Sequence, residues 1–164
     1  MIQTGSPLPD ATLRTLSPDG PKTVSTKDVF RGRKIVLFGV PGAYTGTCSN
    51  IHLPSFVEQA DAIRAKGVDE IVCVAVNDPF VLDAWGKAVG TAGRVTLLSD
   101  GNAEFTKKIG MDFDGSGFGL GTRSKRYAML VDDGTVTALE VEESPGVCKI
   151  TDGASILKKL TADS

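Results

Sequence analysis

The segment Val40-Pro41-Gly42-Ala43-Tyr44-Thr45-Gly46-Thr47-Cys48 carries the main chemical signal of the chain. It leaves an apolar run, passes through a Pro/Gly loop and delivers Cys48 to the start of a helical pattern. Sites in open α/β sheets gather beyond the carboxyl ends of strands. At a helix N-terminus, unpaired N–H groups and the positive dipole end favour an anion. A cysteine there leans toward thiolate, its nucleophilic form. Thr45 and Thr47 add hydroxyl groups beside it. The competing reading is a small residue buried under the loop, as unreactive cysteines commonly are.

His52, the only histidine, follows Cys48 by four residues and shares its face of a regular helix. A nucleophile with its base, a pair of metal ligands, or a packing and hydrogen-bonding histidine all fit that spacing. The last is favoured. Cysteine hydrolases usually bring their histidine from far along the chain, and zinc calls for closely spaced ligand pairs. Pro54 is expected to bend the same helix, because its ring displaces a backbone hydrogen bond. Asp114–Gly121 is glycine-rich but matches no phosphate-binding pattern, and it reads as a mobile or closely packed loop. Arg123, Lys125 and Arg126 precede a strand, and one aimed inward would stabilise a thiolate or a developing oxyanion.

These residues need a scaffold, and the hydrophobic pattern supplies one. Ile35–Val40 and Ile71–Val76 are continuous apolar runs, the mark of strands buried on both faces. Leu53, Phe56, Val57, Ala60 and Ile63 recur at helical spacing, and that helix ends near Lys66-Gly67. Asp78 and Pro79 open a second helix whose expected core face is Val81, Ala84, Trp85 and Ala88. A strand at Val95–Leu98 and a short helix at Ala103–Ile109 follow. A hairpin then joins Tyr127–Val131 to Thr135–Val141 through Asp132-Asp133-Gly134, and a helix around Ala154–Leu160 closes the chain. Gly5–Lys34 reads as loops and short strands. The pattern is an α/β sandwich, expected as a single domain over residues 1–164.

Composition narrows the function. The chain has 164 residues, 41% hydrophobic and 23% charged, which fits a globular domain and excludes a disordered one. Its 18 Lys and Arg against 20 Asp and Glu leave no basic excess for nucleic acid or an anionic membrane. No signal peptide or membrane span is visible. Three cysteines, spaced 25 and 75 residues apart without a CxxC pair, argue against a secreted disulfide scaffold. A cytoplasmic protein with reduced thiols is expected.

The stretch VPGAYTGTCSNIHLPSFV resembles the peroxidatic motif of peroxiredoxins, Pro-x-x-x-Thr-x-x-Cys, here Pro41, Thr45 and Cys48. The following His-Leu-Pro, CVAVNDPFVLDAWG and RSKRYAMLVDDGTV resemble the type II, or "five", subfamily over nearly the whole chain. Gly46 stands where many members carry proline. The resemblance implies a thioredoxin-like three-layer sandwich, a central mixed sheet flanked by helices, and an antioxidant thiol peroxidase that uses no cofactor or metal. Cys48 would attack the peroxide, Thr45 would orient it, and Arg126, rather than Arg123, would polarise thiolate and substrate within the loop that begins at Pro41. The product would be a cysteine sulfenic acid, restored by glutathione with glutaredoxin or by thioredoxin. A homodimer is also implied, with Trp85 as either an aromatic anchor or a core residue.

The family divides over the resolving thiol. Plant-like members carry one matching Cys73, and mammalian-like members carry one near the C-terminus, where the ungapped match is Ile150, two residues past Cys148. A disulfide needs Cα atoms about 4.4–6.8 Å apart. Cys73, third in its expected strand, lies roughly 10 Å short of the strand's end. It is therefore expected to be mainly a core thiol, with recycling by an external thiol. A redox-sensing thiol protein with little turnover, and a cysteine hydrolase, are the alternative functions.

Overall fold

The computed structural model describes residues 1–47 and 51–162. The fully apolar run after Lys34 forms β3 (Lys34–Val40), buried from Ile35 onward, and its parallel neighbour is β4 (Glu70–Ala75). Before them come β1 (Thr12–Ser17), β2 (Gly20–Ser25) and α1 (Thr26–Phe30). After them come β5 (Thr96–Ser99), β8 (Tyr127–Asp132) and β9 (Thr135–Val141), with the short pair β6 (Asp112–Asp114) and β7 (Thr122–Ser124) in between. The helices are α2 (Leu53–Arg64), α3 (Pro79–Val89), α4 (Glu104–Lys108) and α5 (Gly153–Ala162).

Seven strands make one mixed sheet in the order β2-β1-β5-β4-β3-β8-β9. Its parallel centre, β5-β4-β3, is flanked by antiparallel neighbours on both sides. Side chains alternate across the sheet. Val36, Phe38, Val40, Ile71 and Cys73 pack under α2, α3 and α5, while Ile35, Leu37, Val72 and Val74 pack with Phe30, Phe105 and Ile109 from α1 and α4. The result is the expected α/β sandwich, helices over both faces of a mixed sheet.

Three sequence expectations are corrected. The inner face of α3 is Leu82, Trp85 and Gly86, with Val81 and Val89 partly buried, whereas Ala84 and Ala88 face solvent. Trp85 has no exposed surface, so it is a core residue and offers no anchor to a second chain. Pro54, the second residue of α2, directly follows a wider π-helical turn at Ile51 and His52, where its ring and missing N–H disturb the regular winding as expected. The opening segment also holds a short helix, α1, capped by the Ser25 hydroxyl, which accepts from Lys27 N at 3.1 Å.

The central strands approach their neighbours through a glycine. Gly39 of β3 is paired with Tyr127 of β8, whose ring lies across it where a Cβ would otherwise stand. Tyr127 is wholly buried, and its hydroxyl has no hydrogen-bond partner among the described residues. Burial, with Asp100 and Cys73 nearby, pushes its ionisation far above the usual range, so the phenol stays neutral. An unpaired buried hydroxyl carries a desolvation penalty of about 1–3 kcal/mol. Tyr127→Phe is accordingly expected to match or exceed the wild type in urea denaturation. A loss of more than about 1 kcal/mol would show that the hydroxyl is bonded after all.

Candidate active site

The loop leaving β3 is shaped by its backbone before any side chain acts. Tyr44 adopts the left-handed region at φ 64°, a conformation unfavourable for a residue with a Cβ. The turn is held from two sides. Ala43 N donates to Asn77 Oδ1 at 2.9 Å, from the loop after β4. Arg123 Nη1 donates to Pro41 O at 3.3 Å and lies over Gly42, where a side chain would displace the guanidinium. Thr45 Oγ1 closes the turn by donating to Gly42 O at 2.7 Å. Having given its proton, that oxygen still has lone pairs to accept a bond.

Beyond the loop lies a cleft of about 380 Å³ lined by Pro41, Thr45, Thr47, Phe118, Arg126 and Pro145, among others. It joins three of the residues singled out in the sequence, Pro41, Thr45 and Arg126. Cys48 itself lies outside the described residues; Thr47, its chain neighbour, borders the cleft. Of the three basic candidates, Arg126 is the one that is buried, 2% exposed, and it forms part of the wall. Arg123 instead braces the Pro41–Gly42 turn. A larger cleft of about 480 Å³, between β1 and α3, contains no nucleophilic cysteine and lies apart from these residues.

Arg126 is held through acceptors from two segments. Its Nε donates to Pro145 O at 3.1 Å, and its Nη1 lies 2.8 Å from His52 Nδ1. His52 is fully buried against the stacked pair Phe38 and Phe56, tilted to both at centroid distances of 4.9 and 5.6 Å, and its Nε2 is 2.9 Å from Thr151 O. A carbonyl only accepts, so Nε2 carries the proton and Nδ1 receives the arginine's bond. Burial first, and Arg126 second, push the His52 pKa down to about 3. The imidazole is neutral with both nitrogens engaged, which rules against its use as a hydrolytic base or a metal ligand. The favoured packing and hydrogen-bonding reading is the correct one.

The segment after β9 forms the far wall. Thr47 Oγ1 donates to Gly146 O at 3.0 Å, tying it to the β3 loop. Glu142 Oε2 accepts from Lys149 N, Ile150 N and Thr151 N, each at 2.8 Å, and from Thr151 Oγ1 at 2.7 Å. Burial alone would raise this carboxyl, but those four donors outweigh it and hold its pKa below the ordinary range. Cys148 lies on this segment, its Sγ 3.8 Å from Thr151 Oγ1. Burial pushes its thiol pKa up, against the opposing pull of Thr151 and Arg126. Cys73 is buried in β4, two residues from its end rather than the expected three, because the strand stops at Ala75.

Several of these parts carry no sequence signal. Phe113, Phe118 and Leu120 enter the cleft because the glycine-rich stretch is a turn between β6 and β7, with a 3-10 turn at Ser116–Phe118, largely exposed rather than closely packed. Glu142 lies in no motif, and Asn77, though within CVAVNDPFVLDAWG, carries no mark of its role there, since each acts on backbone groups brought in by the fold. His52 was visible as a residue but not as a partner of Arg126, 74 positions away.

Comparison with known proteins gives the family. Residues 3–157 match the family described as Redoxin. Peroxiredoxin-2E, chloroplastic, of Arabidopsis thaliana is 50% identical over 146 residues, 87% of this chain and 62% of that protein. The chain thus spans somewhat under two thirds of that relative's length. Peroxiredoxin-2B of the same organism is 44% identical over 160 residues, 97% of this chain and 98% of its own. Among solved structures, reduced Prx3 from Vibrio vulnificus in complex with H2O2 superposes with a TM-score of 0.92 at 47% identity, covering 98% of this chain and 99% of that one.

Glu142 provides a pH test of the far wall. Because its folded pKa is depressed, its stabilisation is complete above the unfolded value of about 4.3 and is lost as pH falls through the folded value. Glu142→Gln should be less stable than wild type at pH 7, by about 1 kcal/mol or more, with the gap closing in acid. Chemical denaturation at pH 7 and pH 3.5 measures both; a gap independent of pH contradicts the assignment.

Proposed function

The chain belongs to the Redoxin family and within it to the peroxiredoxins, thiol-dependent peroxidases, and from that premise we propose that it reduces hydrogen peroxide and organic hydroperoxides through Cys48. The observation that carries this reading is the buried Arg126 and the Thr45 hydroxyl in one cleft at the carboxyl end of β3, beside the residue that precedes Cys48. The Cys48 thiolate attacks one peroxide oxygen, the O–O bond breaks, and its electron pair leaves with the second oxygen as hydroxide or alkoxide. Thr45 Oγ1 accepts the bond from the peroxide O–H, and the Arg126 guanidinium stabilises the charge on the leaving oxygen. Fixed donors do this better than solvent because they need no reorganisation. Phe113, Phe118 and Leu120 give the cleft an apolar side suited to the carbon part of an organic hydroperoxide.

The product is a sulfenic acid on Cys48 together with water or an alcohol. A thiol then condenses with it to a disulfide, releasing water, and a second thiol reduces that disulfide. We assign this recycling to an external thiol, glutathione with glutaredoxin or thioredoxin. Cys73 lies in the core, and burial holds Cys148 in its less reactive thiol form. A homodimer remains part of the proposal, with exposed Tyr44 and Phe118, beside the cleft, as its apolar contacts in place of Trp85. Sedimentation showing only a 17.2 kDa species would count against it.

Peroxide turnover measured with glutathione plus glutaredoxin, and separately with thioredoxin, tests the reading directly. Cys48→Ser should abolish turnover with either system. Arg126→Ala should slow oxidation of the reduced enzyme by ~10²–10³, the loss typical of one preorganised donor, and Thr45→Val, which removes the acceptor for the peroxide O–H, should slow it as well. A rate for Arg126→Ala within about twofold of wild type removes it from the site.

After one equivalent of peroxide, mass spectrometry should find no dominant intramolecular disulfide. A Cys48–Cys73 or Cys48–Cys148 bond, lost with turnover in Cys73→Ser or Cys148→Ser, would falsify external recycling.

A further inference from the structure

We propose that His52 is the positioning residue of this site, a neutral imidazole that holds the Arg126 guanidinium in place by accepting its hydrogen bond. The proposal rests on the role given to Arg126 above and explains how a long, flexible side chain keeps one orientation.

Arginine has several rotatable bonds, so its value as a fixed donor depends on acceptors that hold it. Pro145 O takes Nε, and His52 Nδ1 takes Nη1. The imidazole can serve only if Nδ1 is unprotonated, and the fold ensures this from the far side of the ring. Thr151 O, 2.9 Å from Nε2, requires the proton to sit there. The Thr151 carbonyl is itself fixed, because Glu142 binds both the N–H and the hydroxyl of the same residue.

The ring cannot easily turn. Phe38 and Phe56 pack against it, and the His52 backbone is tied as well. Ser55 Oγ donates to His52 O at 2.6 Å and accepts from Gly153 N at 2.9 Å, linking the start of α2 to that of α5. Protonating the ring would set an N–H against the arginine's N–H and place two positive charges together. Glu142, Glu143, Cys148, Lys149 and Asp152 are the ionisable groups on the neighbouring segment, Glu143 and Lys149 being exposed and paired with each other, while α2 and β3 present Ser55, Phe56 and Phe38 to this pair. A chain from Glu142 through Thr151 and His52 to Arg126 results, in which only the last member reaches the cleft.

Four proteins test this by rapid-quench measurement of how fast reduced enzyme is oxidised by hydrogen peroxide. His52→Leu removes both ring bonds at similar bulk and should slow the reaction at least ~10-fold. His52→Asn restores an acceptor near the position of Nδ1 and should recover to within about threefold of wild type. In an Arg126→Ala background, His52→Leu should add less than about a twofold change, since its target is gone. Wild-type speed in His52→Leu, or losses that multiply in the double variant, overturns the proposal.

Should His52→Leu fail to fold, the wild type still decides. With one histidine in the chain, its ring nitrogens give an unambiguous NMR signature. The expected result is the Nε2–H tautomer, unchanged from pH 8 to pH 5. An Nδ1–H tautomer, or titration near the ordinary value of about 6.5, overturns the pairing. That outcome leaves the peroxidase reading standing, whereas wild-type turnover by Cys48→Ser would sink that reading and leave the NMR signature intact.

Discussion

The bond between Arg126 and His52 is the constraint on which the site is built. A guanidinium with 2% exposure is unstable in a protein interior unless its hydrogen bonds are met, because little water can reach it to solvate the charge. Meeting them draws together parts distant in sequence. The arginine precedes β8, the histidine precedes α2, and the carbonyl of Pro145 belongs to the segment after β9. Each of those segments then has its own anchor. The sheet delivers the arginine to the carboxyl end of β3, and the hydrogen bonds decide which way it faces.

Both loops beside it are held largely through backbone atoms. Asn77 reaches across from the loop after β4 to take Ala43 N, and Arg123 takes Pro41 O. On the far wall a single carboxylate oxygen of Glu142 gathers three successive N–H groups and one hydroxyl. Loops at a site would otherwise carry unmet polar groups and many conformations. Here they are fastened by side chains with no chemical task of their own. Two arginines three residues apart have thereby separated into different roles, one as a buried wall and one as a brace.

The sheet and its helices were legible because their signals are local and periodic. The runs at Ile35–Val40 and Ile71–Val76 have one physical solution, and Asp78-Pro79 caps the helix that it predicts, with Asp78 Oδ1 accepting from Val81 N at 2.8 Å. The face of α3 was misjudged because alanine is neutral to burial, so Ala84 and Ala88 gave no direction. The site was half legible. Pro41, Thr45 and Arg126 are marked by the family resemblance, and the fold brings them to one cleft. The tie from His52 to Arg126, the Glu142 cradle and the apolar side at Phe113 and Phe118 depend on contacts between distant segments, which no window of sequence reports. Cys148 has a similar limit, since its burial is set by how its loop packs.

The wide turn at Ile51 and His52 has a consequence in helical phase. In an α-helix each residue advances by about 100°, and a π-turn takes in one residue more than an α-turn before the winding resumes. His52 lies in that turn, and four residues on Phe56 stacks on the same Phe38 that the imidazole touches. One helical face therefore serves two ends, its later members filling the core and its first reaching Arg126. An insertion or deletion between His52 and Phe56 would swing the imidazole off that shared face by about 100° per residue, because site and core are indexed on one spiral.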